Sequence, residues 1–372
     1  MHWMSEKFEL SRNDGSGNVR PMEGLRGFAV FLVFLVHYTT LMSPFILTTP
    51  GIATALESIH SIGNAGVDLF FVLSGYLIYG SLMARRQDFV PFMRRRIARI
   101  YPAFLVVLLV YLLLSFLQPA TSKIPSGTPQ ALLYISQNLL LLPGIFKIDP
   151  IITVAWSLSY EMLYYIVLPP LILLLKLHAR PAAWRVGFFV LAGATILGTC
   201  AVYGGPIRLA MFVSGIVLHE ALRAKVNAPP PGVVVTLAAA SLWLIAAAYH
   251  GPLAAASRTL ALMVAFFYLC LHCFSLSLSW LTRAFCVAPL RWLGNMSYSY
   301  YLIHGLALKA GVMLLMFQAP GLQMNAGVAL IALPLVFGLT LLPAAALFLF
   351  IERPFSLSKR AAPTAPPVPA PI

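Results

Sequence analysis

Two ionisable side chains, Arg26 and His37, lie eleven residues apart in a segment that is otherwise almost continuously apolar through Leu47. Eleven residues make just over three helical turns, so both side chains are predicted on one stripe of a helix. At a rise of about 1.5 Å per residue, His37 lies about 15 Å deeper than Arg26. A histidine near mid-membrane is energetically costly, and it indicates a functional role such as proton transfer, with a partner elsewhere in the bundle.

An arginine-rich segment is the second candidate for chemistry. Residues 85–99 contain six arginines and no lysine, although lysine would satisfy the topology rules equally well. Arginine forks bind phosphate bidentately, and Arg96 and Arg99, at i and i+3, present two forks on one helical face. The alternative is a set of snorkelling anchors at the inner leaflet. The segment alone supports both hypotheses equally.

Three further apolar segments carry polar side chains at helical spacing. Two of them repeat the pattern i, i+3, i+4, i+7, the first with Ser157, Tyr160, Glu161 and Tyr164 and the second with Ser297, Tyr300, Tyr301 and His304. The third begins at Asp68 and continues to Ser74 and Gly75, small residues that allow a neighbouring helix to approach closely. Taken singly, each stripe is more often a structural hydrogen-bond network. Two histidines and two carboxylates at membrane depth together favour a reaction centre.

The composition sets the class of protein that must position these residues. The chain has 372 residues, of which 60% are hydrophobic and 10% are charged. Repeated apolar runs of about twenty residues match the length that crosses a bilayer. The sequence therefore predicts an all-α polytopic membrane protein with about ten transmembrane helices, at 27–47, 63–83, 100–118, 153–175, 185–203, 207–222, 232–249, 256–275, 296–316 and 327–351. The short run 131–146 is predicted at the surface or as a re-entrant segment.

The distribution of charge predicts the orientation of the chain. The net charge is +14, and with both termini in the cytoplasm the inner segments hold 20 of the 25 lysines and arginines. The outer loops then hold four, and Lys309 lies in a span. This is the positive-inside pattern, so the basic residues face the inner leaflet and cytoplasmic anions, and no nucleic-acid partner is expected.

The predicted organisation has three parts. Residues 1–25 form a cytoplasmic N-terminal segment, residues 26–355 the transmembrane domain, and residues 356–372 a disordered cytoplasmic tail rich in proline and alanine. No cleavable signal peptide is expected, because the first twenty residues are polar. Cys270 and Cys273 stand on one helical turn without a second pair elsewhere, so core packing is expected there rather than a metal.

Six motifs, in order from residue 22 to 354, resemble the acyltransferase-3 family of membrane O-acyltransferases: Arg26 to His37, Phe70 to Tyr76, Arg96 to Pro102, Trp156 to Glu161, Ser297 to His304 and Glu352 to Pro354. The resemblance implies a multi-pass enzyme of the bacterial inner membrane that moves an acyl group, usually acetyl, from acyl-coenzyme A to a hydroxyl of a sugar or polyketide. It also implies that His37 is essential and that the Arg96–Arg99 motif serves the coenzyme.

That chemistry gives the candidate residues their expected roles. Transfer to an alcohol needs a base, donors for the tetrahedral oxyanion and an aligned thioester. Burial favours a neutral His37 that can accept a proton, with Glu161 or Asp68 orienting it. Arg26, Arg96 and Arg99 are expected to hold the coenzyme. Oxyanion donation or acceptor binding is expected of His304 and of the hydroxyl side chains Ser157, Tyr160, Tyr164, Ser297, Tyr300 and Tyr301.

The expected partners are acyl-coenzyme A as co-substrate, a glycan or lipid-linked saccharide as acceptor, and the lipid bilayer. An alternative acceptor is a cytoplasmic small molecule such as a macrolide, which would not require transfer across the membrane. A proton-coupled transporter is the alternative from another class, because intramembrane histidine, carboxylates and Lys309 suit it. The sequence has no inverted repeat and no matched pair of broken spans, which a transporter would favour.

Overall fold

The computed structural model describes residues 2–10, 19–247 and 253–357. These residues form helices and no β-strand. The helices are α1 (His2–Phe8), α2 (Val19–Met42), α3 (Pro50–Ala84), α4 (Phe89–Leu117), α5 (Thr128–Leu139), α6 (Trp156–Leu174), α7 (Ala182–Tyr203), α8 (Ala210–Arg223), α9 (Pro231–Ala246), α10 (Ala254–Ser275), α11 (Trp280–Ala284), α12 (Ala288–Asn295), α13 (Ser297–Gln318) and α14 (Ala326–Leu347), which a π-helical segment, Phe348–Leu357, continues.

Eight of the described helices are long and apolar enough to cross a membrane, namely α2, α3, α4, α6, α7, α10, α13 and α14. The all-α polytopic class predicted from the sequence is confirmed. The other two predicted spans correspond to α8, with 14 residues, and α9, with 16. At about 1.5 Å per residue these helices are shorter than a hydrocarbon core of about 30 Å. Residues 248 and 249 of the predicted seventh span lie outside the described residues, as does most of the predicted tail.

Helix α3 is longer than the second predicted span. It has 35 residues and begins at Pro50, where the Thr49 hydroxyl accepts a hydrogen bond from the Ile52 amide. The predicted start was residue 63, because residues 50–62 carry several polar side chains and give no continuous apolar run. At about 1.5 Å per residue the helix measures about 52 Å, so its N-terminal part extends past a single bilayer core.

Glycines allow α3 to pack closely against two neighbouring helices. A Cβ atom at Gly66 would lie 2.5 Å from the carbonyl oxygen of Ala29 in α2. A Cβ atom at Gly75 would lie 2.2 Å from the carbonyl oxygen of Phe212 in α8. Real Cβ atoms do not approach an oxygen that closely, so both contacts require glycine. The close helix approach predicted at Gly75 is confirmed.

The region after α4 contains α5, the only regular helix in the run 131–146. Its 12 residues are too few to cross a membrane. Asn138 is buried at the end of this helix, where its side-chain oxygen accepts a hydrogen bond from the Ile151 amide at 2.7 Å. This bond fixes the following irregular segment against the bundle, and the run does not form a full span, as predicted.

Aromatic side chains pack α2 against α14. Phe34 of α2 lies 4.9 Å from the ring centroid of Phe337 in α14, and the Tyr38 hydroxyl donates to the Ala329 carbonyl at 2.5 Å. Elsewhere in the core, Cys270 and Cys273 are buried free thiols of α10, which confirms the packing role predicted for them.

Candidate active site

The two intramembrane histidines singled out from the sequence lie against each other. His37 of α2 and His304 of α13 have ring centroids 4.8 Å apart, with 66° between the ring planes. His304 is fully buried and His37 is half-buried. Two separate polar stripes therefore meet in one place within the bundle, as the sequence requires of costly side chains at this depth.

The hydrogen bonds of His304 define its tautomer. Its Nδ1 atom lies 2.9 Å from the backbone carbonyl oxygens of both Tyr300 and Tyr301. Carbonyl oxygens only accept, so Nδ1 carries the proton and donates, and Nε2 keeps its lone pair. Nε2 is buried and has no hydrogen-bond partner among the described residues. A buried acceptor without a partner is therefore available beside His37.

Arg26 and His37 face the same neighbour, as their eleven-residue spacing predicts. The Arg26 side chain donates from Nε and Nη2 to the Ser297 hydroxyl, at 3.1 and 2.9 Å. Ser297 begins α13, and His304 lies two turns further along that helix. Arg26 contacts Ser297, and His37, further along α2, contacts His304, further along α13. The two helices therefore run in the same direction where they meet.

A cavity of about 140 Å³ brings together the three arginines predicted to serve the coenzyme. Arg26, Arg96 and Arg99 all line it. Its other polar lining side chains come from α3, α6 and α13 and are Ser74, Ser157, Glu161, Tyr165, Ser297, Tyr298 and Tyr301. His37 and His304 do not line this cavity. Tyr301 connects the two places, because its ring is also 6.1 Å from that of His304.

Arg96 and Arg99 differ in how they are held. Arg96 donates to the Ser81 hydroxyl at 3.0 Å, and its guanidinium lies over the rings of Phe92 and Tyr165, at 4.9 and 5.0 Å. No carboxylate among the described residues forms an ion pair with Arg96. Its neighbours are therefore a hydroxyl and two aromatic faces, which leave the cation electrostatically available to an anionic ligand.

Arg99 is instead paired with Glu352, a fully buried carboxylate in the π-helical segment. The distance from Nη1 to Oε1 is 2.5 Å. The second Glu352 oxygen accepts from both the amide and the hydroxyl of Ser299, at 3.1 and 2.6 Å. The pair joins α4, α13 and the π-helical segment, so Arg99 has a structural role besides lining the cavity.

The two carboxylates expected to orient His37 have other partners. Glu161 accepts a hydrogen bond from the Tyr165 hydroxyl. Asp68 is buried and forms an ion pair with Arg208 at 3.5 Å. Neither carboxylate forms a hydrogen bond or ion pair with His37 among the described residues. The side chain in contact with His37 is His304 instead.

Three tyrosines expected to bind substrate lie outside the cavity. Tyr160 packs against Phe71, with 5.7 Å between ring centroids. The Tyr164 hydroxyl donates to the Leu209 carbonyl at 2.8 Å, and the Tyr300 hydroxyl bonds Thr340 at 2.8 Å. The Tyr164 and Tyr300 hydroxyls are thus satisfied by hydrogen bonds within the bundle. Ser157 and Tyr301 do line the cavity and bond each other at 2.8 Å.

Two further residues complete the site and were missed in the sequence. Tyr165 lies between Glu161 and Arg96, and the spacing 157, 161, 165 on α6 was the available signal. His60 of α3 bonds the Thr40 hydroxyl at 3.2 Å, one turn beyond His37 on α2. It falls in the polar first part of α3, which lies before the predicted second span.

The comparison with known protein families identifies the chain. Residues 21–348 match the family model described as an acyltransferase domain. The chain belongs to the acyltransferase-3 family. This match spans the arginine-lined cavity and the histidine pair, and it decides against the transporter alternative. The protein is thus a multi-pass membrane acyltransferase.

Named relatives in this acyltransferase-3 family agree with the assignment. The chain is 33% identical to the acyltransferase MdmB of Streptomyces mycarofaciens over 61% of this chain and 62% of that protein. It is 29% identical to the exopolysaccharide production protein ExoZ of Rhizobium meliloti (strain 1021), over 81% of this chain and 92% of that protein. It is 28% identical to the O-acetyltransferase OatA of Staphylococcus aureus (strain NCTC 8325 / PS 47), over 43% of this chain and 26% of that protein.

The coverage of these relatives is unequal. The chain spans less than two thirds of MdmB and about a quarter of OatA, but nearly all of ExoZ. No solved structure matches the chain significantly.

Proposed function

We propose that the protein transfers an acyl group, usually acetyl, from acyl-coenzyme A to a hydroxyl of a cell-surface or exported glycan. The observation that carries the proposal is the position of the His37–His304 pair beside a cavity lined by Arg26, Arg96 and Arg99. Phosphate binding and proton transfer need these two kinds of group, in a site that excludes bulk water.

His37 is the general base of this proposal. It takes the proton from the acceptor hydroxyl as the oxygen attacks the thioester carbonyl carbon. The C–S bond then breaks, the acyl group stays on the acceptor oxygen, and the coenzyme thiolate takes the proton from His37. His304 fits a positioning role, because its Nε2 lone pair can accept a hydrogen bond from the His37 ring and favour the protonated form that arises during transfer.

The arginines serve the donor. Arg96 offers a fork that has no carboxylate partner among the described residues, and Arg26, which donates to the Ser297 hydroxyl, brings a second cation to the same cavity. A cavity of about 140 Å³ suits the narrow pantetheine arm and a small acyl group rather than a whole nucleotide. Tyr301, which contacts both the cavity and His304, lies on the way from the donor to the base.

A glycan acceptor is favoured by the names of two relatives, an exopolysaccharide production protein and an O-acetyltransferase. His60 and Thr40, one turn beyond His37, offer hydrogen-bonding groups on the side opposite to the arginines. The alternative acceptor remains a cytoplasmic small molecule such as a macrolide. It would approach His37 from the side of the bundle where Arg26, Arg96 and Arg99 lie, called the arginine side below.

The test uses membranes that contain the protein, incubated with acetyl-labelled acetyl-coenzyme A and a panel of bacterial glycans. The expected product is an O-linked, alkali-labile acetyl ester that does not form with the His37→Ala variant. Labelling of a macrolide but of no glycan would show that the acceptor is a small molecule rather than a glycan. Absence of any ester with all acceptors, from protein that binds the donor, would contradict the proposed activity.

A further inference from the structure

A second, larger cavity lies on the arginine side of the bundle. Its volume is about 860 Å³, within the range of roughly 300–1,000 Å³ that is typical of small-molecule sites. Its walls are formed by α3, α4 and the segment between them, and by the C-terminal part of α6 and the segment that follows it. None of the residues assigned a role above lines it.

This cavity and the smaller, arginine-lined cavity follow each other along the same three helices. On α3, Ile78 lines the smaller cavity and Leu82 the larger one. On α6, Tyr165 lines the smaller cavity, whereas Ile166 and Pro169 line the larger one. Four residues of helix correspond to about 6 Å, so along α3 the two cavities lie within about one helical turn of each other.

Arg96 lines the smaller cavity where that cavity comes near the larger one. Its guanidinium bonds Ser81, which falls between Ile78 and Leu82 on α3. It also covers the faces of Phe92 and Tyr165, whose rings are 5.9 Å apart. A ligand that occupies both cavities therefore lies close to this cation.

The larger cavity combines an apolar wall with cations. Phe89, Pro169 and Pro170 offer flat apolar surface for a planar ring. Arg86 and Lys176 bring two positive charges, and neither forms an ion pair among the described residues. The other ionisable lining side chains are the carboxylate of Asp88 and the imidazole of His178, whose Nε2 donates to the Leu82 carbonyl.

We propose that the larger cavity binds the adenine and 3′-phosphate end of acyl-coenzyme A, with the phosphate between Arg86 and Lys176. This inference rests on the proposed function and adds a subsite to it. The pyrophosphate then lies at Arg96, and the pantetheine arm continues into the smaller cavity. The two volumes match this division, because the larger cavity accommodates a nucleotide and the smaller one only a narrow chain.

The experiment measures ligand binding, so that it does not depend on the acceptor. Full-length protein in detergent is titrated with coenzyme A and with 3′-dephospho-coenzyme A by isothermal calorimetry. The wild type is expected to bind the dephospho form about tenfold more weakly. The double variant Arg86→Ala and Lys176→Ala is expected to lose about tenfold for coenzyme A and nothing for the dephospho form. Arg85→Ala, which removes a neighbouring charge outside the cavity lining, serves as the control and is expected to bind both ligands as the wild type does.

The outcomes separate this subsite from the activity. Equal weakening of both ligands in the double variant, or no weakening of either, overturns the subsite while coenzyme binding itself stands. A phospholipid that native mass spectrometry finds on the wild type but not on the double variant, with coenzyme binding unchanged, overturns it in favour of a lipid site. A wild-type protein that binds neither ligand contradicts the proposed donor as well.

Discussion

The imidazole rings of His37 and His304 meet edge to face, with 4.8 Å between their centroids. In a serine-protease triad the group behind the basic histidine is a carboxylate. Here the neighbour is a second histidine whose proton is held on Nδ1 by two backbone carbonyls. A neutral partner avoids the large cost of burying an unpaired carboxylate in the bundle. The pair can therefore hold its geometry at membrane depth without a compensating cation.

We expect His37→Ala to abolish acyl transfer without preventing membrane insertion. Loss of a general base typically lowers the rate by roughly 10²–10⁴-fold. His37→Gln is the sharper variant, since it keeps a hydrogen-bonding side chain but no comparable proton acceptor. The measurement is the initial rate of ester formation at equal protein level. A well-expressed His37→Ala variant with near-normal activity would rule out this mechanism.

The role of His304 is tested with His304→Phe, which keeps a ring against Tyr300 and removes the Nε2 lone pair. Loss of one hydrogen bond to a charged group costs roughly 1.5–3 kcal/mol, so kcat should fall about 10- to 100-fold. The KM for acyl-coenzyme A should stay unchanged, because His304 does not line the donor cavity. A rise in KM with unchanged kcat would contradict a positioning role.

Helix packing between α3 and α8 is tested at Gly215, where a Cβ atom would lie 2.0 Å from the Val72 carbonyl oxygen. Gly215→Ala should destabilise the protein by roughly 1–3 kcal/mol, because neither backbone can move aside easily. Gly187→Ala in α7 is the matched control, since no atom lies within 4 Å of its Cβ position. It should be neutral or slightly stabilising, because alanine favours helix. Thermal unfolding in detergent compares the two, and equal melting temperatures would refute the close approach.

Part of this architecture was predictable from the sequence, for a physical reason. Apolar runs of about twenty residues identify spans whatever their neighbours are, because the bilayer sets their length. The first turns of α3 were not predictable in this way. Residues 50–62 form helix beyond the apolar run, and no periodic signal marks them. This is why His60, beside the candidate base, was missed.

The site residues were also predictable only in part. The i, i+3, i+4, i+7 pattern on α6 groups Ser157 and Glu161 with Tyr160 and Tyr164, although only the first two line the cavity. Rows at i+3 and i+4 turn in opposite directions around a helix, so over two turns they reach different neighbours. Which row faces the cavity is decided by tertiary packing. The same applies to Arg99, whose pairing with Glu352 links residues 253 positions apart.

The orientation of the chain gives a fourth prediction, which rests on the distribution of lysine and arginine. Residues 85–99 and the C-terminal tail should face the cytoplasm, and residues 119–149 and 317–326 should face outward. In a background without the native cysteines, Val90→Cys should react only with reagents that reach the cytoplasm, because Val90 is 72% exposed. Ala120→Cys should react from the outside. Labelling of position 90 from the periplasm would overturn both the orientation and the assignment of the coenzyme to the arginine side.

The last prediction separates a phosphate clamp from an inner-leaflet anchor at Arg96. Arg96→Lys keeps the charge and removes the planar fork, so it should raise the KM for acyl-coenzyme A about tenfold or more at unchanged expression. Under the anchor hypothesis the change is silent, because lysine snorkels as well as arginine. Arg85→Lys, outside the cavity lining, is the control.

Arg99→Lys is a less direct probe of the same clamp, because Arg99 also holds the buried Glu352 carboxylate. A KM effect there has to be read beside the melting temperature, since weakening a buried ion pair destabilises the fold as well. Arg96 has no such carboxylate partner among the described residues, so its KM reports ligand binding. An unchanged KM in Arg96→Lys, or an equal rise in Arg85→Lys, would exclude a specific phosphate clamp at this arginine.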